Sequence, residues 1–178
     1  MVKPNLLRSS MDLWALAHEH EEMYCDNDER QYALRLLSRQ VPGEDGELVG
    51  KFLSYFDREV YSKGNTLWKQ GTVSDSAKLL VCGQLMSVLE NETGTTEAIS
   101  IGSMIGESGL VQNLNRNSTV LVLKDNTILY SLCRESWENM NENDPKCARI
   151  LYAIVVRYLT HRVQHVSNRI FETRCLPI

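Results

Sequence analysis

No stretch of this 178-residue chain approaches the roughly 20 consecutive apolar residues that a membrane-crossing helix needs. Cysteine is sparse and scattered: Cys25, Cys82, Cys133, Cys147 and Cys175 form no C-x-x-C pair. An odd, dispersed set argues against a disulfide framework or a zinc site and for a reducing compartment. Histidine is scarcer still, with none between residues 21 and 160. The pairs His18/His20 and His161/His165 have no third ligand at a sensible spacing, so they read as solvated side chains. No nucleophile stands beside a base, and catalysis is not expected. An excess of positive charge is also missing: the net charge of −4 gives no reason to expect nucleic acid as a partner. The opening Met1–Arg8 lacks the apolar core of a secretory signal, so a cytoplasmic location is expected.

What the chain does contain is ordinary for a globular protein, 43% hydrophobic and 24% charged. It divides by texture. Residues 1–47 read as a helical extension. Asp12–Ala17 and Tyr32–Leu37 carry apolar residues at helical spacing, with Asp26–Asp28 as a cap between two helices. The run Pro42–Gly46 then breaks the chain. Between residues 48 and 133 a short helix is followed by β-branched runs at 66–68, 78–82, 84–90, 96–101, 119–123 and 127–132. Asn91–Gly94 and Lys124–Asn126 read as hairpin turns, and Gly64, Gly71 and Gly83 as positions of positive φ. Residues 134–178 return to helix. A short element over 134–140 precedes a long one that starts at Asp144-Pro145 and carries the apolar stripe Cys147, Leu151, Ile154, Val155, Tyr158, Leu159, Val166, Ile170. The class is therefore α+β, mainly β: an antiparallel jelly roll or β-roll flanked by N-terminal helices and two C-terminal helices.

Charge is uneven along the chain. Residues 18–29 hold six acids, and residues 146–174 hold six bases against one acid. Two solvated helix faces account for this, and a meeting of the two helices, within the chain or across a homodimer, is the sharper alternative.

The stretch with chemistry is 105–120. Two glycines, Gly106 and Gly109, flank Glu107, and Arg116 stands nine residues after that acid, just before a β-branched run. Residues 107–113 can form one or two helical turns whose unpaired amides attract an anion. Arg116 can fork onto a phosphate. Glu107, of the wrong charge for phosphate, suits a sugar hydroxyl. A ligand with both groups is nucleotide-like.

Gly106, Glu107, Gly109, Leu110, Arg116, Thr119 and Val120 fall in register with the phosphate-binding cassette of cyclic nucleotide-binding domains, which the chain resembles from about Leu48 onward. Tyr61, Gly64, Leu67, Gln70-Gly71, Ser74-Asp75 and Gly83 resemble that family's entry strands and turns. The resemblance implies a regulatory module that binds cAMP or cGMP, without other cofactor or metal. The implied ligand-binding set is Gly106, Glu107, Ser108, Gly109, Leu110, Arg116, Asn117, Ser118 and Thr119. Arg116 would hold the phosphate, Glu107 the ribose 2′-hydroxyl, and the amides near Gly109 and Leu110 the phosphate oxygens. The long C-terminal helix would cap the base through Tyr158 or Arg162 and, by moving, switch an effector. Asn117 stands where the family carries alanine, serine or threonine, the hydroxylated forms being associated with cGMP, so the base stays open.

Fewer than ten residues follow Arg169, too few for a helix-turn-helix. The effector is then the rest of a larger protein or a separate partner. Asp12–Glu21 and Asn168–Ile178 faintly resemble the cytosolic tail of sulfate-permease-type transporters. The ending Cys175-Leu176-Pro177-Ile178 has the form of a prenylation signal with an ill-fitting proline. Two other classes compete. An assembly domain that has lost its ligand is favoured slightly by Asn117, Ser118 and the amide-rich 112–115. A cupin-type enzyme would need the histidines that the middle of the chain lacks.

Overall fold

The computed structural model describes residues 26–90 and 94–174. The expected helix before Asp26, most of the acidic run, the turn residues 91–93 and the 175–178 tail lie outside the described residues. The chain runs α1 (Asp26–Gln40), α2 (Gly46–Leu53), β1 (Asp57–Tyr61), β2 (Thr66–Trp68), β3 (Ser76–Cys82), β4 (Leu85–Val88), β5 (Thr96–Ile99) and β6 (Met104–Ile105). It continues through α3 (Glu107–Gln112), β7 (Thr119–Val122), β8 (Thr127–Cys133), α4 (Arg134–Asn143) and α5 (Pro145–Arg174).

The strands form two four-stranded antiparallel sheets, ordered β1-β8-β3-β6 and β2-β7-β4-β5. Such non-sequential neighbours make the expected roll. Two strands are absent from the sequence reading. β1 carries Asp57, Arg58 and Glu59 and shows no apolar alternation, yet it pairs with β8 over five positions. β6 has only two residues, paired to Lys78 and Leu79.

The turn at Lys124–Asn126 is real but is not a hairpin, because β7 and β8 belong to different sheets. Asn126 takes φ 55°, and the Asp125 carboxylate accepts the Lys63 amide at 2.8 Å. Turn composition encodes the reversal of direction and leaves the partner strand unspecified. Gly64, Gly71 and Gly83 have the expected positive φ.

Strand alternation splits the apolar residues of β3 between two cores. Ala77, Leu79 and Val81, with Tyr130 and Leu132 of β8, face a helical layer built from Ala33, Leu36, Leu37, Val49, Phe52, Leu53, Trp137, Met140, Ile150, Leu151 and Ile154. Leu80 and Leu129 face the second sheet and meet Leu85, Val120 and Val122. Helix α1 thus packs in the same core as the roll. Helix α2 starts at Asp45, whose carboxylate accepts the Glu47 amide, and buries Val49, Phe52 and Leu53.

Helix α5 follows the proline start that the sequence implies. The Asp144 carboxylate accepts from Cys147, and the Ala148 amide reaches the Asp144 carbonyl at 3.1 Å. Among the described residues its apolar stripe is core as far as Val155, and Val156, Tyr158, Leu159 and Val163 are exposed.

Three members of the two charged runs have partners among the described residues. Glu29 forms a two-pronged pair with Arg58 of β1 at 2.8 and 2.9 Å, and Arg149 pairs with Glu44. Arg157 donates to the carbonyls of Arg39 and Gln40 at 3.3 and 3.1 Å, where the C-terminal end of α1 favours a cation.

Candidate functional site

A cavity of about 430 Å³ opens where the inner core stops, within the size range of small-ligand sites. Its lining brings together Gly106, Glu107, Ser108, Gly109, Arg116, Asn117, Ser118, Tyr158 and Arg162 from the residues singled out by sequence. Leu110 and Thr119 lie elsewhere. The Leu110 side chain is 1% exposed in the helix-side core, the natural place for the apolar face of so short a helix. The Thr119 hydroxyl accepts the Gln70 amide at 2.9 Å and donates to Glu90, bracing the strand frame.

The cassette is built on close approach. Gly106 enters α3 at φ 75°, and a Cβ there would collide with Nη1 of Arg116 and stand 2.9 Å from the Ser76 carbonyl. Only glycine combines that dihedral with that contact. The Leu110 amide bonds the Gly106 carbonyl at 3.1 Å, so it is committed to the helix and not to an anion as the sequence implied. The amides left without an intrahelical partner belong to the first turn, at Glu107, Ser108 and Gly109.

Glu107 is 4% exposed. Burial raises its pKa above the ordinary carboxylate value. The amides of Glu107 and Ser108, the Ser108 hydroxyl at 3.0 Å and the positive charge of Arg162 pull the other way. The carboxylate therefore turns back onto its own helix start.

Arg116 is held from all sides. Its amide donates to the Thr72 carbonyl and its carbonyl accepts from Gly71, each at 2.8 Å, so the loop before β7 is stitched to the loop after β2. Nη1 donates to the Ser76 carbonyl at 2.8 Å, and Nη2 to Oγ of Ser76 at 3.1 Å and Oδ1 of Asp75 at 3.0 Å. The guanidinium lies 3.7 Å over the Trp68 ring, a cation–π contact. Burial lowers the Arg116 pKa against the opposing effect of Asp75, while Arg116 helps hold Asp75 below its usual value despite partial burial. One guanidinium nitrogen is left out: among the described residues, Nε of Arg116 is buried without a partner. Such a group is costly unless an acceptor reaches it.

Trp68, Asp75 and Ser76 are the residues that sequence reasoning missed as partners of Arg116. They stand 40 to 48 positions upstream, and no spacing rule links them. The pairing of Trp68 with Val120 across β2 and β7 brings the ring under the arginine. Helix α5 lines the cavity through Tyr158 and Arg162, and Nη1 of Arg162 donates to the Tyr158 hydroxyl at 3.0 Å. Among the described residues no group of side chains could hold a metal ion, and no helix is long and apolar enough to cross a membrane.

Comparison with known proteins agrees with this geometry. Residues 58–144 match the family model of the cyclic nucleotide-binding domain. The cyclic AMP receptor protein of Thermus thermophilus is 28% identical over 116 residues, 64% of this chain and 53% of that protein. The chain thus spans about half the length of this curated relative. The structure of Thermus thermophilus catabolite activator protein aligns with a TM-score of 0.61 at 25% identity, over 77% of this chain and 64% of that one. A cyclic nucleotide-binding domain from Methylobacillus flagellatus aligns with a TM-score of 0.69 at 18% identity, over 84% and 85% of the two chains. Residues 58–144 carry a cyclic nucleotide-binding domain.

Proposed function

We propose that this chain is a regulatory module that takes a cyclic purine nucleotide, cAMP or cGMP, into the cavity and passes the event to an effector through α5. The observation that carries the reading is the buried, unpartnered Nε of Arg116 on a cavity that Glu107, Tyr158 and Arg162 also line. The cyclic phosphate meets Arg116 and the amides of Glu107 to Gly109. Its arrival competes with the Glu107 carboxylate for those amides and frees that carboxylate for the ribose 2′-hydroxyl. Tyr158 and Arg162 cover the base. Residues 48–133 are the binding roll, 134–178 the responding lid, and 1–47 the link outward. The effector is the remainder of a longer protein or a partner; a sulfate-permease-type transporter is one candidate. The ligand shifts α5 only as far as it prefers one position of that helix over another.

Thermal unfolding with cAMP, cGMP or neither tests this. Ligand at about a hundred times Kd adds roughly 2.7 kcal/mol, a rise of several degrees in Tm, and the rise disappears in Arg116→Ala and Glu107→Ala. A second reading, a ligand-free assembly domain, is favoured by the internal engagement of Arg116 with Asp75 and Ser76. It prevails if millimolar nucleotide leaves the Tm of the folded chain unchanged.

A further inference from the structure

Resting on that binding reading, we propose that Glu97 makes the cavity select guanine over adenine, so that its preferred ligand is cGMP. Strand pairing places the side chain. Glu97 stands opposite Ser87, and Ser87 opposite Val120. Directly opposed residues on adjacent strands share a face. Val120 belongs to the inner core, so Ser87 and Glu97 project on the inner side of the roll, and both line the cavity. Two positions along, the Leu85–Ile99 pair repeats this orientation, and Leu85 packs in the inner core against Ile99.

Among the described residues the Glu97 carboxylate has no hydrogen-bond or ion-pair partner. Beside it runs an oriented chain of hydroxyls. Oγ of Ser87 donates to Oγ of Ser118 at 2.8 Å, and Oγ of Ser118 to Oδ1 of Asn117 at 3.4 Å. With its oxygen so engaged, Asn117, which also lines the cavity, has its amide nitrogen left to donate.

An ionised carboxylate accepts only. Guanine offers adjacent donors, N1–H and the N2 amino group, which the two oxygens of one carboxylate can accept in parallel, and its O6 accepts from the amide of an asparagine. Adenine offers a single amino donor there, and its N1 lone pair faces the second oxygen unfavourably. Ile99 and Tyr158 also line the cavity and give either purine the same apolar surface, so they do not discriminate. Sequence could not choose between the bases because Asn117 both donates and accepts. The carboxylate that breaks the tie lies 20 positions upstream, on another strand.

Calorimetric titration of the chain with cGMP, cIMP and cAMP tests the assignment, because cIMP keeps N1–H and lacks the N2 amino group. The wild type should bind cGMP about tenfold tighter than cAMP, with cIMP between them, the scale of one hydrogen bond to a charged group. Glu97→Gln should weaken cGMP by about tenfold and leave cAMP unchanged or bound tighter, because the amide can donate to adenine N1. Glu97 is exposed on an edge strand, so the substitution leaves both cores intact. Equal or tighter binding of cAMP, or an unchanged ratio in Glu97→Gln, overturns the selectivity and leaves the binding reading standing. Failure of all three nucleotides to bind the folded wild type overturns both.

Discussion

The two faces of the β1-β8-β3-β6 sheet are finished differently. The helix-side face is covered from α1 to α5 and is apolar but for the Arg58–Glu29 pair at its β1 edge, with Phe52, Leu79, Leu132, Met140 and Leu151 all at most 1% exposed. The inner face is apolar only around Leu80 and Leu129; further along it gives way to Ser76, Arg116 and an open cavity. The helix-side face carries the stability of the domain. The inner face leaves its apolar packing incomplete and holds its polar groups with directed bonds, an arrangement that suits the polar ligand proposed above.

The sharpest way to break that contrast is to damage the helix-side core. Phe52 packs edge-on against Phe56 with ring centroids 5.0 Å apart. Phe52→Ala should cost about 3–5 kcal/mol in chemical denaturation, with any nucleotide response intact while the protein remains folded. A loss below about 1 kcal/mol would mean that the helical layer does not carry the fold.

On the inner face the expected damage is smaller in stability and larger in binding. Gly106→Ala drives a methyl group into Arg116 and the Ser76 carbonyl at a positive φ. It should cost about 1–3 kcal/mol and abolish the nucleotide-dependent rise in Tm. Wild-type nucleotide binding in that variant would show that the position of Arg116 is not what the ligand reads.

The smallest effect is one of pH. Because burial raises the Glu107 pKa, the native state binds more protons than the unfolded chain between the ordinary carboxylate value and the raised one. Stability from this residue is therefore present at low pH and lost as pH rises through the folded pKa. Asp75, with a lowered pKa, behaves oppositely, losing its contribution as pH falls below the ordinary carboxylate range. Glu107→Gln should raise Tm slightly at pH 7, and the gain should shrink on acidification toward the raised Glu107 pKa. A gain that is constant with pH would assign the effect to packing instead of charge.

How much of this could be read from sequence follows the same division. The strands with β-branched runs, α2 and the start of α5 are encoded locally, by alternation, by the Asp45 cap and by Asp144-Pro145. The charged strand β1 and the two-residue β6 exist only through their partners β8 and β3, and carry no local signal. At the cavity, Glu107 and Arg116 were legible because one short segment holds both. Trp68, Asp75 and Glu97 were not, because strand pairing alone brings them to it.

Arg157 has a mechanical consequence. It fastens α5 to the end of α1 at the point where burial of the helix ceases, with Val155 in the core and Val156 exposed. The 17 residues from Tyr158 to Arg174 continue the helix for about 25 Å beyond that fulcrum. A tilt of about 10° at the fulcrum carries the tip through about 4 Å. Tyr158 and Arg162, which lie within the first turn and a half of the lever, would move by about 1 Å or less. In the switch proposed above, contacts of ordinary length at the cavity would steer the far end of the helix, with Arg157 at the pivot.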